Sequence, residues 1–304
     1  MAIKKITVLY GGQSSEREVS LESGKDIYHS LKALGYEAQL IDYPKNFFIE
    51  QFSQEDFIFI ALHGADGESG ELQKILQQKR VLFSGSDHKA CMNTWNKNTC
   101  KNLLKKNNIP TPKWINVSSL TEMQRNLEDD FFDLLRPFNE LFLKPAEDGS
   151  SIDVFKISNN KDLELAIDSC INSSRAFIFE ENVDFKELTV PILNGRCLPA
   201  VEIRTSESFY NFNAKYVNKD TQLLEFILPN DKKNELEEIC LKTMDVMGCS
   251  GWLRVDLLQD KNNNFYVLEV NTVPGMTSHS LFPKSAESIG LSYNDLVNEI
   301  INTK

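Results

Sequence analysis

Residues 251–281 read GWLRVDLLQDKNNNFYVLEVNTVPGMTSHSL, and the rest of the fold follows from how this stretch pairs with itself. Two apolar segments, 252–258 and 265–270, flank the polar run Asp260 to Asn264, the pattern of two strands joined by a hairpin loop. Side chains two positions apart on a strand share a face. Arg254 therefore lies beside Asp256, and Glu269 beside Asn271. If the hairpin brings both pairs onto one surface, two carboxylates, an amide oxygen and a guanidinium converge. Such an all-oxygen set suits Mg²⁺, and Mn²⁺ as well, with positions left over for phosphate oxygens. The arginine can stabilise charge on a phosphoryl group in transfer. An exposed hairpin with a surface ion pair is the plain alternative. The matched spacing on both strands, and the run Asn271-Thr272-Val273-Pro274-Gly275 directly after them, favour the metal and phosphate site.

Working outward, 304 residues give room for about two or three domains with real cores. A net charge of −11 excludes a general nucleic-acid binder, which needs a basic face. The longest apolar runs, such as Phe57 to Leu62, are too short to span a bilayer. The first apolar run stops at Gly11-Gly12, too short for the core of a signal peptide. The six cysteines include no CxxC pair, so free thiols in a reducing cytoplasm are expected.

The first third alternates strands (Ile6 to Tyr10, Glu37 to Asp42, Phe57 to Leu62, Val81 to Phe83) with helices (Glu16 to Leu34, Gly70 to Gln78). That alternation predicts a parallel sheet whose ligands sit beyond the strand carboxyl ends, at Gly11 to Glu16, His63 to Gly70 and Ser84 to Asp87. Leu21, Ile27, Leu31 and Leu34 are the expected inner face of the first helix. A helix from about His88 to Asn107 leads into the boundary Ile109-Pro110-Thr111-Pro112. A smaller α+β unit follows, with strands at Leu141 to Lys144, Val154 to Ile157 and Ala176 to Glu180 and a helix at Lys161 to Ser169. Strands at Glu187 to Leu193 and Leu198 to Arg204, and a helix from about Lys233 to Met247, complete the expectation.

Lys144 ends an apolar strand and precedes the loop Glu147 to Ser151, whose backbone N–H groups can cradle an anion. There is no GxxxxGK[ST] and no GxGxxG after the first strand, so neither a P-loop nor a dinucleotide fold is indicated. The stretch Glu180, Glu181, Val183 to Glu187 joins two strands. It is either an acidic linker or a connection whose backbone meets an adenine edge while a carboxylate meets ribose. Glu16 can be a helix N-terminal acid, and His63 a satisfied loop histidine.

Taken in order, the segments LYGGQSSEREVSLESG (9–24), ALHGADGESGELQ (61–73), FSGSD (83–87), IPTPKW (109–114), LKPAEDGSS (143–151), ELTVPILNG (187–195), FNAKY (212–216) and 251–281 resemble the D-alanine–D-alanine ligases of the ATP-grasp superfamily. The resemblance covers essentially the whole chain. It implies an α/β fold of three domains: an N-terminal parallel-sheet domain (1–95), a central ATP-grasp domain (96–183) and a C-terminal one carrying the metal and catalytic site (184–304). It implies two-step ligation of D-alanine through an acyl phosphate, for peptidoglycan precursor synthesis, by a cytoplasmic homodimer with no nucleic-acid or membrane partner. By the same resemblance, Glu16 would hold the ammonium of the first D-alanine beside His63. Lys97, Lys144 and Lys215 would contact ATP phosphates under a loop containing Ser150. Glu180, Glu181 and Val183 would meet adenine and Glu187 ribose. Tyr216 would close the site toward Ser150 and Glu16. Asp256, Glu269 and Asn271 would hold two Mg²⁺ ions, and Arg254 would stabilise the phosphoryl group. Gly275 would donate to the oxyanion, and Ser280 and Leu281 would meet the second carboxylate.

Some positions depart from the family pattern: Ser69, Lys74, Asp153 in place of a glycine, Leu253, and LLEFILP after Thr221-Gln222 where Pro-Ala is usual. Rival expectations are a ligase taking D-lactate or D-serine second, a sensor that binds nucleotide without turnover, and a purely structural α/β protein.

Overall fold

The computed structural model describes residues 5–125, 140–149, 151–183, 185–207 and 220–303. The N-terminal sheet is parallel, in the order β2-β1-β3-β4, formed by β1 (Lys5–Gly11), β2 (Ala38–Tyr43), β3 (Asp56–Ile60) and β4 (Leu82–Phe83). Helices α1 (Arg17–Ala33), α2 (Ala65–Glu68) and α3 (Glu71–Lys79) connect these strands. As expected for a parallel sheet, the Gly11, His63 and Ser84 loops gather at the strand carboxyl ends.

The inner face of α1 keeps Ile27 and Leu31, two of the four residues the apolar spacing indicated, and adds small ones. Ser20, Ser23, Gly24, Ile27, Ser30 and Leu31 are buried, Leu21 is half-buried and Leu34 is exposed. The reason is close approach: a Cβ on Gly24 would lie 2.4 Å from Tyr10 Cβ, so small residues must face the strand.

The single helix expected over 88–107 is two helices, α4 (His88–Trp95) and α5 (Lys97–Lys106). Asn96 breaks the helix with ψ near 110°, and its side chain caps α5 by accepting the Thr99 N–H at 2.9 Å. This break turns Lys97 into the first residue of a new helix.

The middle sheet is antiparallel, in the order β5-β8-β6-β7, from β5 (Trp114–Val117), β6 (Leu141–Pro145), β7 (Phe155–Ile157) and β8 (Phe177–Glu181). Helices α6 (Leu120–Arg125) and α7 (Asn160–Ser169) contribute Leu120, Leu163 and Ala166 to its core.

The C-terminal sheet runs β12-β11-β9-β13-β14, with β10 beside β9. Its strands are β9 (Lys186–Leu193), β10 (Arg196–Cys197), β11 (Val201–Arg204), β12 (Gln222–Glu225), β13 (Trp252–Gln259) and β14 (Phe265–Asn271). The strand expected from Leu198 starts only at Val201. Leu198 instead donates its N–H to the Pro191 carbonyl, leaving residues 198–200 out of the ladder.

Helix α8 (Asn230–Met247) and α5 cover the C-terminal sheet, placing Cys100, Leu104, Leu236 and Cys240 against Val255 and Leu257. The last helices, α9 (Leu281–Ser288) and α10 (Tyr293–Ile301), return to the N-terminal core through Phe282, Leu296, Val297 and Ile300. Trp252, 1% exposed, joins the two ends. Its ring sits edge-on to Phe282 at 5.5 Å and tilted against Phe59 at 6.0 Å. No described helix is long and apolar enough to cross a membrane.

Candidate active site

The hairpin pairs as the spacing requires. Arg254 stands opposite Asn271 and Asp256 opposite Glu269, with a bulge immediately after Asp256. Directly opposed residues of antiparallel strands share a face, so all four side chains lie on one surface. Asp256 is 6% exposed and accepts from Arg254 Nε at 2.8 Å and Nη2 at 2.7 Å. A third bond comes from Thr189 Oγ1 on β9, at 2.6 Å. Thr189 escaped the sequence reading because only the pairing of β9 with β13 sets it opposite Asp256. Asn271 Oδ1 accepts the Val273 N–H at 2.9 Å and retains a second lone pair.

This donor set fits a hard divalent cation. The described residues hold no cluster of three or more His, Cys, Asp or Glu side chains arranged for a metal. Mg²⁺ needs none: it takes one or two carboxylates and completes its shell with phosphate oxygens and water.

Beside the hairpin lies a cavity of about 510 Å³, walled by β6, β8, β9 and β11 and by the loop after β6. Lys97, Lys144, Glu180, Glu181, Val183 and Glu187 all line it, together with Glu269. The volume and the mixture of apolar walls and convergent charges suit a nucleotide-sized ligand. Phe142 and Leu268 supply flat apolar surface.

At its inner wall Glu180, 1% exposed, is gripped by two lysines: Lys144 Nζ at Oε1, and Lys101 Nζ at Oε2, 2.6 Å away. Burial alone would raise the Glu180 carboxyl, but Lys101 and Lys144 together hold it below the usual carboxylate range. Lys101 is the second residue the sequence reading missed, since KNTCKNLLKK reads as a solvated basic helix.

Lys97 anchors the loop after β6. Its N–H donates to Ala146 O at 2.7 Å and its Nζ to Asp148 O at 2.7 Å. Burial lowers the Lys97 ammonium pKa, opposed chiefly by the Glu269 charge. Asp153, a departure from the family pattern, does not line the cavity. Its carboxylate meets Arg175 Nη2 at 2.6 Å and the Ile171 N–H at 3.1 Å. Leu253 is fully buried in the C-terminal core and Lys74 is exposed, so neither reaches the cavity.

Above the hairpin the N-terminal loops bring in Glu16, His63 and Glu68. Glu16 precedes α1, and a Cβ on Gly149 would lie 3.0 Å from its Oε2, so the loop after β6 closes onto this carboxylate. His63 is 4% exposed, and its Nδ1 lies 3.0 Å from the Val273 carbonyl. A carbonyl only accepts, so Nδ1 carries the proton. Nε2 is buried without a protein partner, an acceptor left for a ligand. Burial lowers the His63 pKa, with Glu16 opposing and Arg254 assisting, so the ring is neutral at pH 7.

Glu68 was not singled out in the sequence. Its carboxyl is pushed up to about 8 by burial and then by Glu16, and Oε1 accepts the Gly64 N–H at 2.7 Å. At neutral pH a carboxyl raised that far is mostly protonated.

Gly275 and Ser280 close a tight turn: a Cβ on Gly275 would lie 2.9 Å from Ser280 Oγ, which accepts the Thr277 N–H at 3.1 Å. Ser280 precedes α9, and Leu281 opens it, where helix N–H groups lack intrahelical partners. Ser150, Lys215 and Tyr216 lie outside the described residues.

The family model for the D-ala D-ala ligase C-terminus matches residues 103–302. The D-alanine–D-alanine ligase of Haemophilus ducreyi is 38% identical over 301 residues, covering 98% of this chain and 97% of that protein. The crystal structure of the Bacillus anthracis D-alanine–D-alanine ligase complexed with ATP superposes with a TM-score of 0.84 at 31% identity, covering 99% of this chain and 97% of that one. The VanG D-Ala:D-Ser ligase of Enterococcus faecalis shares the fold, with a TM-score of 0.84 at 24% identity over 99% of each chain. The chain belongs to the D-alanine–D-alanine ligase family.

Proposed function

We propose that this protein joins two D-alanine molecules at the expense of ATP, through a D-alanyl phosphate, to supply a peptidoglycan precursor. The observation that carries the reading is the single hairpin face bearing Arg254, Asp256, Glu269 and Asn271 at the edge of a nucleotide-sized cavity. In the first step a carboxylate oxygen of D-alanine attacks the γ-phosphorus of ATP and ADP leaves. In the second, the amine of another D-alanine attacks the acyl carbon and phosphate leaves with the bonding pair.

Glu16 holds the first ammonium, and neutral His63 offers Nε2 to the same substrate. Arg254, oriented by Asp256, neutralises the phosphoryl oxygens as charge shifts onto the leaving group. Lys97, Lys144 and Lys215 draw the phosphates in, with Ser150 in the loop above them. Glu180, Glu181 and Val183 face the base, and Glu187 the ribose. Gly275 donates to the tetrahedral oxyanion, Ser280 and Leu281 seat the second carboxylate, and Tyr216 closes the site. Asp256, Glu269 and Asn271 would hold Mg²⁺, which supplies charge neutralisation to the phosphates. The fixed geometry of these groups lowers the barrier mainly by alignment.

The net charge of −11 and the family likeness support a cytoplasmic homodimer, divided at 1–95, 96–183 and 184–304, that meets neither nucleic acid nor membrane. The test is phosphate release with ATP, Mg²⁺ and D-alanine, against L-alanine, D-serine and D-lactate as second substrates. Release requiring D-alanine alone, with dipeptide as product, is expected. Preferential use of D-lactate or D-serine, or no turnover by folded protein that binds ATP, overturns the reading.

A further inference from the structure

Lys101 stands behind the wall of the nucleotide cavity rather than in it. It is 1% exposed, on the face of α5 turned toward the middle sheet. Its ammonium reaches Glu180 Oε2 at 2.6 Å and Thr111 Oγ1 at 2.8 Å, with the Trp114 ring centroid 5.7 Å away. Lys144 takes the other Glu180 oxygen from the cavity side. One carboxylate is therefore divided between two ammonium groups, and the trio carries a net positive charge.

That charge matters because of what surrounds it. Acidic side chains outnumber basic ones along the cavity lining. A polyphosphate enters such a cavity only if its lysines are not already neutralised by the protein's own carboxylates. With Glu180 facing Lys144 alone, the two would form a neutral pair.

We infer that Lys101 is a positioning residue for ATP: by holding half of Glu180, it leaves Lys144 with positive charge toward the phosphates. The inference rests on the ligase reading above and adds to it a residue that does not touch the substrate.

Calorimetric titration of the full chain with ATP and with adenosine tests it, using Lys101→Met, Glu180→Gln and the double variant. Lys101→Met is expected to weaken ATP by about tenfold or more while adenosine changes by less than about threefold. KM for ATP should rise while kcat at saturating ATP falls by less than about threefold. Adding Lys101→Met to Glu180→Gln, where no carboxylate is left to neutralise Lys144, should cost no further ATP affinity. Equal loss of ATP and adenosine overturns the inference, as does ATP affinity unchanged in Lys101→Met. So does a further loss of ATP affinity in the double variant relative to Glu180→Gln. If Lys101→Met does not fold, Glu180→Gln against the double variant decides the matter. Loss of Lys101 in that background should leave ATP affinity unchanged, and a further loss overturns the inference. A parent protein that binds no ATP overturns the ligase reading and this inference together, whereas a parent that binds ATP with an insensitive Lys101 overturns this one alone.

Discussion

Asp256→Asn keeps the shape of the side chain and deletes its charge. The carboxylate accepts from Arg254 at 2.8 and 2.7 Å and from Thr189 at 2.6 Å. An amide has one acceptor oxygen, and its NH₂ protons would face the guanidinium. At least one charge-assisted bond is lost, about 1.5–3 kcal/mol. Arg254 also loses the carboxylate that offsets its own burial. Breaking a fully buried pair in this way costs about 3–5 kcal/mol. With the Arg254 side chain 14% exposed and that of Asp256 8%, the lower end applies, about 3 kcal/mol. At about 2 °C per kcal/mol for a chain of this size, the melting temperature should fall by roughly 6 °C. D-Alanine-dependent phosphate release should fall at least about 100-fold, the low end for losing a transition-state charge contact. Thr189→Val serves as the control. It removes one hydroxyl donor and no charge, so about 1 kcal/mol of stability goes while turnover survives within about tenfold. Thermal melts of all three proteins beside the release assay read both numbers. An Asp256→Asn protein melting within about 1 °C of the parent would refute the ion-pair argument, and one that turns over normally would refute the metal assignment.

Gly67→Ala should be severely destabilising, because its Cβ would lie 1.8 Å from the Leu62 carbonyl oxygen and neither backbone can yield. Overpacking of this kind costs about 3 kcal/mol or more, and a parent-like melt would contradict it. Asp153→Gly sets two effects against each other. Its φ of 53° is relaxed by glycine, worth about 1 kcal/mol, but the Arg175 pair and the bond to Ile171 N–H are lost. The lost pair is worth about 3 kcal/mol where it is buried, so net destabilisation of about 1–2 kcal/mol should appear in urea unfolding, and a gain in stability would reverse the ranking. Burial holds the folded pKa of His63 below the ordinary imidazole value of about 6.5, so the unfolded chain binds the proton first. Stability should therefore fall as pH drops from 6.5 toward the folded pKa, and this part of the slope should vanish in His63→Gln. Identical pH profiles would show that His63 is not held neutral.

The hairpin was legible because all its information is local. Period-2 spacing puts Arg254 with Asp256 and Glu269 with Asn271, and a polar loop of the right length folds the two pairs together. The parallel N-terminal sheet was legible for the same reason, strand and helix patterns alternating within short windows. The errors fall where a contact distant in sequence outweighs the local pattern. The face of α1 buries Ile27 and Leu31 as their spacing indicates, but the fit of Gly24 against Tyr10 fills the rest of it with small residues, and Leu34, just past the helix, ends in solvent. The helix over 88–107 breaks at Asn96, whose side chain caps α5 and also donates to Glu147 Oε1 at 2.8 Å. A helix-compatible residue becomes a stop because the loop after β6 gives it a partner.

The site divides along the same line. Ligand-facing groups cluster in recognisable segments, whereas the groups that set their charge and aim come from elsewhere in the chain. Thr189 reaches Asp256 across a strand pairing, Glu68 is raised to about 8 by burial and the Glu16 charge, and Lys101 reaches Glu180 from another element. None of the three carries a sequence signal, because a threonine in a strand, a glutamate in a short helix and a lysine on a basic helix are ordinary in isolation. Their effect exists only where burial removes water and lowers the effective dielectric, making each neighbouring charge count several-fold more than at the surface. The residues proposed to hold substrate thus stand out by motif chemistry, whereas those that set their charge appear only once burial is known. In a cavity lined with more acids than bases, that tuning sets how much lysine charge is left to face a polyphosphate.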